Sequence, residues 1–172
     1  MRLCKNGEWQ EVIVDDYFPC YPNGGPIFSK CGLNEMWVLL LEKAYAKLHG
    51  GYKNLTGGAP FEGLADLTGC PTTSFNLKDD KVRHMIDSGK FWDLVTHFQD
   101  ECYLLTGSTA PQDMWTEQGT PAPGMDRGMM PGHSYTVLQA KEAKGQKLIQ
   151  LRSPFGRLNW RGDWSAQSPQ WT

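Results

Sequence analysis

Polar and apolar residues alternate along Glu8-Trp9-Gln10-Glu11-Val12-Ile13-Val14-Asp15-Asp16, which predicts a strand. The stretch from Phe18 to Pro26 holds three prolines and two glycines and reads as a loop. A helix is predicted over 35–49. Trp37, Leu40, Leu41, Ala44, Tyr45 and Leu48 recur at three- and four-residue spacing, Asn34 is the candidate N-cap, and Gly50-Gly51 ends it. Gly57-Gly58-Ala59-Pro60 is a turn, and Phe61 to Leu67 predicts a short helix stopped near Gly69. A polar stretch then leads to Ser88, the candidate cap of a second helix carrying Phe91, Trp92, Leu94, Val95 and Phe98 on one side. Tyr103 to Ser108 reads as a buried strand, and residues 107–132 as a long loop without periodicity. His133 to Ala140 alternates again. A turn through Lys141–Gln146 then leads into Lys147-Leu148-Ile149-Gln150-Leu151-Arg152, giving a hairpin with a longer connection. Helices come first and strands follow, which favours α+β over a doubly wound sheet; no internal repeat or low-complexity tract interrupts this order.

Composition narrows the picture. With 172 residues and 40% hydrophobic content, the chain is long enough for one globular domain with a core. Seventeen Lys+Arg stand against 19 Asp+Glu without a basic block, so no nucleic-acid partner is expected. The longest apolar run, Val38 to Leu41, is too short for a membrane span, and residues 1–15 hold no signal core. Five cysteines, Cys4, Cys20, Cys31, Cys70 and Cys102, are widely spaced and contain no C-x-x-C. They read as reduced, structural thiols of a cytosolic protein rather than a disulfide framework or zinc site.

The candidate chemistry lies near the end. Gly132-His133 opens the alternating strand, and Ser153-Pro154-Phe155-Gly156 follows its partner strand. Neighbouring strands can present an imidazole and the group that orients it side by side, as a thiol protease requires. On spacing alone, a lone histidine opening a strand is more often structural. Other features have plain readings: Asp15-Asp16 caps a turn, His49, His84 and His97 are solvated, and Trp160, Trp164 and Trp171 pack rather than stack a ligand. Met125, Met129 and Met130 either form an adaptable binding surface or fill gaps.

Several segments resemble the calpain family of papain-like cysteine proteases. They are Glu8-Trp9-x-x-Val12-x-Val14-Asp15-Asp16-x-x-Pro19, Asn34-Glu35-Met36-Trp37 with Leu40 to Lys47, and Gly50-x-Tyr52-x-x-Leu55-x-Gly57-Gly58. Glu62-Gly63-Leu64-x-Asp66-Leu67-Thr68-Gly69, Gly132-His133 and Trp160-x-Gly162-x-Trp164-Ser165 continue the match over nearly the whole chain. The resemblance implies the second, His/Asn-bearing subdomain of a papain-like α+β core, with a twisted antiparallel sheet and flanking helices. It places the start of the chain at the crossover from the first subdomain and implies truncation at the C-terminus.

By that resemblance His133 is the general base and Gly132 lends its backbone to substrate binding. Ser153 stands at the catalytic Asn position, and Phe155 replaces a tryptophan beside the cleft. The nucleophilic Cys belongs to the first subdomain, which becomes an expected partner together with protein substrates or binding proteins. No cysteine of this chain has the nucleophile's context, so the chain alone is expected not to hydrolyse peptides. The family uses calcium, but the matching positions here are Asn159 and Ala166. No metal is therefore expected in this segment, because calcium needs six to eight oxygens and Ala166 supplies none. Ser153 can accept a hydrogen bond but is shorter than Asn and free to rotate. Two readings follow: an impaired or inactive cysteine endopeptidase core, or a pseudoprotease scaffold retained as a binding or structural module, for instance at the cytoskeleton. An intracellular location is implied in either case.

Overall fold

The computed structural model describes residues 1–32, 35–110, 127–156 and 159–171. The chain is α+β with antiparallel sheets and falls into two compact units, Met1–Ser74 and Phe75–Thr172.

In the first unit, β1 (Arg2–Lys5) and β2 (Glu8–Glu11) form a hairpin registered Leu3↔Gln10 and Cys4↔Trp9. Its turn is Asn6-Gly7, with φ of 53° and 81°, the left-handed pair that a two-residue hairpin favours. One further pair closes the ladder, with the Met1 amine on Val12 O at 2.8 Å and Val12 N–H on Met1 O at 2.7 Å. The strand predicted to Asp16 ends early, and side chains take over the main chain beyond Val12. Lys47 Nζ takes Ile13 O at 2.7 Å instead, and Asp15 Oδ1 accepts the Tyr17 N–H at 2.9 Å, the expected capped turn.

Helix α1 (Trp37–Leu48) begins two residues later than predicted; Asn34 lies outside the described residues. Its spacing buries Ala44 and Ala46, and Leu3, Val12 and Ala44 form a core flanked by Val14, Leu41, Tyr45 and Leu48. Trp37, counted on the apolar stripe, is instead 58% exposed, because the first turn overhangs this small core. Gly50 and Gly51 end the helix as expected, donating to Lys47 O and Ala46 O. After a single 3₁₀ turn (Tyr52–Leu55), α2 (Pro60–Thr68) starts on proline and stops at Gly69, φ 69°. A Cβ on Gly69 would lie 2.6 Å from the Trp9 ring, so glycine lets the hairpin close on the helix end.

Beneath this contact Asp66, 7% exposed, gathers Lys5 Nζ, Tyr45 OH and His49 Nε2, each 3.1 Å from Oδ2. His49 is thus not solvated as its polar surroundings predicted; α2 brings a carboxylate to it. Burial alone would raise the Asp66 pKa, but the hydrogen bonds from Lys5, Tyr45 and His49 outweigh it and hold the group below its ordinary value. Burial first, and then Asp66, push Tyr45 up to about 12. A carboxylate depressed in the folded state stabilises above the ordinary carboxylate range, and that stability is lost as pH falls through the folded value. Asp66→Asn should therefore lower Tm at pH 7. The difference from the natural chain should shrink as pH drops below 4, and a constant difference across thermal melts from pH 7 to pH 2.5 would contradict this assignment.

The second unit opens with α3 (Asp80–Asp87), absent from the sequence reading because its single apolar face is only Val82, Met85 and Ile86 in a charged stretch. Helix α4 (Lys90–Asp100) follows after one turn. Ser88 does not cap α4: it closes α3, its hydroxyl donating back to Met85 O, while Gly89 (φ 79°) holds the N-cap of α4. Strand β3 (Thr106–Ser108) is shorter than expected, and Tyr103 and Leu104 are exposed rather than buried. The cause lies at Cys102, whose φ of 58° turns the chain so that Tyr103 N–H returns to Phe98 O and its ring stacks on Phe98 at 5.2 Å.

Strands β4 (Ser134–Ala143) and β5 (Gln146–Arg152) complete a three-stranded sheet in the order β3-β4-β5. Their connection is two residues, Lys144-Gly145 with φ of 52° and 73°, not the longer loop predicted; the left-handed pair lets both strands run on. A bulge between Val137 and Gln139 shifts the alternation, so the buried set passes from Tyr135 to Ala140. Ala140 N–H donates to Gln99 Oε1, docking α4 on the sheet. Of the long predicted loop, 111–126 lies outside the described residues.

All five cysteines are free; Cys4 is buried as expected, whereas Cys20, Cys70 and Cys102 are exposed on turns and chain bends. Among the described residues no helix is long and apolar enough to cross a membrane.

Candidate active site

His133 is held where β4 begins, after a tight turn that needs a left-handed residue: Gly132 has φ 61°. Both faces of its main chain are bonded to Thr109, one residue beyond β3. Thr109 N–H donates to His133 O at 2.9 Å, and His133 N–H donates to Thr109 Oγ1 at 3.1 Å. The Thr109 hydroxyl also donates to Met130 O. Tyr135, two residues on along the same face of β4, sets its ring edge-on to the imidazole at 4.7 Å, and its OH accepts the Met130 N–H at 2.9 Å.

The imidazole is 7% exposed, and its Nε2 lies 3.0 Å from Ser153 Oγ. Ser153 immediately follows the last β4–β5 pair, Thr136↔Arg152, so two adjacent strands deliver the two groups. The chain then turns at Ser153-Pro154-Phe155-Gly156, with Gly156 N–H on Ser153 O at 3.3 Å, and carries Phe155 back over the ring at 4.8 Å. Phe155 itself is 65% exposed, a solvent-facing aromatic lid on one side of the imidazole. The four residues singled out from the sequence, Gly132, His133, Ser153 and Phe155, therefore meet at one place.

With Nε2 engaged, Nδ1 is the ring nitrogen left for proton transfer. A neutral imidazole has one donor and one acceptor nitrogen, so if Ser153 accepts from Nε2–H, Nδ1 is free to act as a base. A serine hydroxyl can also donate, however, and in that arrangement the proton sits on Nδ1, the wrong tautomer for a base. Ser153 thus contacts the imidazole without fixing which ring nitrogen carries the proton.

The tryptophan-rich segment supports the approach to His133. Arg161 N–H donates to Arg127 O at 2.7 Å, and a Cβ on Gly128 (φ 106°) would lie 2.3 Å from Asn159 O. Trp160 Nε1 donates to Asp163 O at 2.6 Å over Gly162, and Trp164 meets Trp171 edge-on at 5.0 Å. The indoles pack among themselves, with Trp160 and Trp171 still 39% and 50% exposed, and Asp163 serves the turn. His84 and His97 are exposed on their helices, as expected. Met125 lies outside the described residues, and Met130 takes part through its backbone.

The sequence reading missed Thr109 and Tyr135. Tyr135 was legible as the next inward position after His133. Thr109 carried no signal, because its partner lies 24 residues away. Cys102, the only cysteine after residue 75, sits at the end of α4 with its Sγ beside Asp100 O.

Two adjacent strands thus place an imidazole and a serine hydroxyl side by side. In comparison with known proteins, the model of the family "Calpain family cysteine protease" matches residues 1–172, and the chain belongs to that family. It is 41% identical to the calpain-type cysteine protease DEK1 of Zea mays, over all of this chain and 8% of that protein. It is 32% identical to calpain-9 of Homo sapiens, over 99% of this chain and 24% of that one, and 35% identical to calpain-8 of Rattus norvegicus, over 96% and 22%. The chain therefore spans a quarter or less of these relatives, which carry further regions.

Proposed function

We propose that this chain supplies the base half of a calpain-type cysteine endopeptidase core, impaired by its serine orienter. The nucleophilic cysteine comes from the first protease subdomain. The observation that carries the reading is the 3.0 Å contact between His133 Nε2 and Ser153 Oγ on a nearly buried imidazole. In the reaction, the nucleophile's thiol gives its proton to His133 Nδ1, and the thiolate attacks the peptide carbonyl. His133 then returns that proton to the leaving amine, and water releases the acyl group by the same proton route. Ser153 holds the reactive tautomer for only part of the time, and Phe155 limits water around the Nε2 bond.

No calcium is proposed in this segment, because Ala166 offers no side-chain oxygen and calcium needs six to eight oxygen ligands. The second reading, a scaffold acting through protein partners, is favoured by the same Ser153, since a hydroxyl that can donate need not preserve the base tautomer at all. The protein is expected inside the cell; attachment to the cytoskeleton belongs to the scaffold reading alone.

The two readings separate on one substitution. Ser153→Asn should raise kcat/KM for a peptide substrate about tenfold, and Ser153→Ala should lower it, with little change in KM. Turnover unaltered by both substitutions would refute the orienter role. Absence of turnover in all three proteins would favour the scaffold.

A further inference from the structure

The imidazole has more holding it than its orienter. Thr109 is joined to the backbone of His133 through both its N–H and its hydroxyl oxygen, at 2.9 and 3.1 Å. The first bond extends the β3–β4 ladder, whose last pair is Ser108↔Ser134, by one step beyond the strands. The second is a side-chain bond and depends on the residue type. The single hydroxyl proton is turned toward Met130 O and His133 O, so one oxygen accepts from His133 and donates to the segment just before it. Tyr135 fastens that same segment from the other side, its OH accepting the Met130 N–H while its ring abuts the imidazole.

Residues 130–133 are therefore tied at Met130 N, Met130 O, His133 N and His133 O by two side chains, neither of which touches the imidazole nitrogens. We propose that Thr109, assisted by Tyr135, is a positioning residue for His133: its hydroxyl fixes the main chain from which the imidazole projects, and so fixes the ring relative to Ser153. The proposal deepens the reading of His133 as the base. Positional errors of about 1 Å at a reacting group cost on the order of a hundredfold in rate. A bond that sets the backbone of the base is thus a control point for catalysis, although it joins no reacting atom.

The chemistry predicts an asymmetry between near-isosteric replacements. Thr109→Val keeps the β-branched shape but removes the acceptor for His133 N–H and the donor to Met130 O. Thr109→Ser keeps both. Tyr135→Phe keeps the ring and removes only the acceptor for Met130 N–H.

The test is histidine C2 hydrogen–deuterium exchange by mass spectrometry on the whole protein, across pH 5 to 9, with peptide turnover measured in parallel. In Thr109→Val, exchange at His133 should rise at least about threefold toward that of exposed His84 and His97, while His49, His84 and His97 keep their rates. In the same variant kcat should fall about tenfold with KM unchanged. Thr109→Ser should match the natural protein, and Tyr135→Phe should fall between the two. The proposal is overturned if Thr109→Val leaves His133 exchange unchanged, if Thr109→Ser alters it equally, or if all four histidines shift together as the protein loosens. Exchange does not depend on hydrolysis. A selective shift at His133 in a protein that cleaves nothing would defeat the base reading and leave the clamp standing.

Discussion

Replacing His133 by alanine is expected to lower peptide hydrolysis by about a hundred- to ten-thousandfold, the range that positioned acid–base catalysis supplies. The expectation rests on where the ring sits. It is almost fully buried, flanked by Tyr135 and Phe155, and bonded through Nε2 to Ser153, which leaves Nδ1 as the nitrogen able to exchange a proton. Neither described neighbour can take over that role, since Ser153 is a hydroxyl and Tyr135 OH is already bonded to Met130. Alanine also leaves a void beside two aromatic rings, so His133→Gln serves as the second variant; it nearly fills the space and can still bond Ser153 but cannot act as a base. Both variants should lose turnover alike while His133→Gln keeps the natural Tm. Retained turnover in His133→Gln would mean that the imidazole is structural.

A large loss of stability is expected from a residue that touches no reacting group. Gly128→Ala should destabilise the second unit by about 3 kcal/mol, combining backbone strain with overpacking. The φ of 106° is one that side chains rarely adopt, and the added Cβ would fall 2.3 Å from the Asn159 carbonyl. That neighbour is backbone, held in turn by the Arg161 N–H bond to Arg127 O, so it cannot swing aside as a side chain would. Thermal melts should show Tm lowered by roughly 6–12 °C for a chain of this size. Activity should fall as well, because the displaced strand of chain leads within five residues to His133. A variant melting within 2 °C of the natural protein would show that residues 127–128 and 159–161 are not in register.

The parts of the fold visible in the sequence were those set by local rules. Helix α1 carries its three- and four-residue stripe and its double glycine, and α2 has proline at one end and glycine at the other, so both could be read directly. The Asn6-Gly7 hairpin was missed, although an Asn-Gly pair between short extended runs is a hairpin signal, because the alternation was followed only from Glu8 onward. Helix α3 was hidden because three apolar residues in a charged stretch give too little periodicity. The Lys144-Gly145 turn was missed because lysine rarely takes a left-handed conformation, and nothing local shows that its glycine neighbour permits it.

The site divides in the same way. His133, Gly132, Ser153 and Phe155 could be named because each lies in a short motif at a strand end. Their convergence follows from the β4–β5 pairing that the alternation foretold. Thr109, Gly128 and the Asp66 cluster could not be named, since each acquires its role from partners 17 or more residues away. A histidine read as solvated, His49, was misplaced for the same reason.

The measurement that bears most directly on the central claim is covalent labelling by a cysteine-directed epoxide, read by peptide mass spectrometry on the natural protein, His133→Gln and Ser153→Asn. Slow labelling of the natural protein at one cysteine outside this chain is predicted, faster in Ser153→Asn and lost in His133→Gln. Equal labelling in all three, or none in any, would contradict a thiol protease whose base is His133 and whose orienter is Ser153.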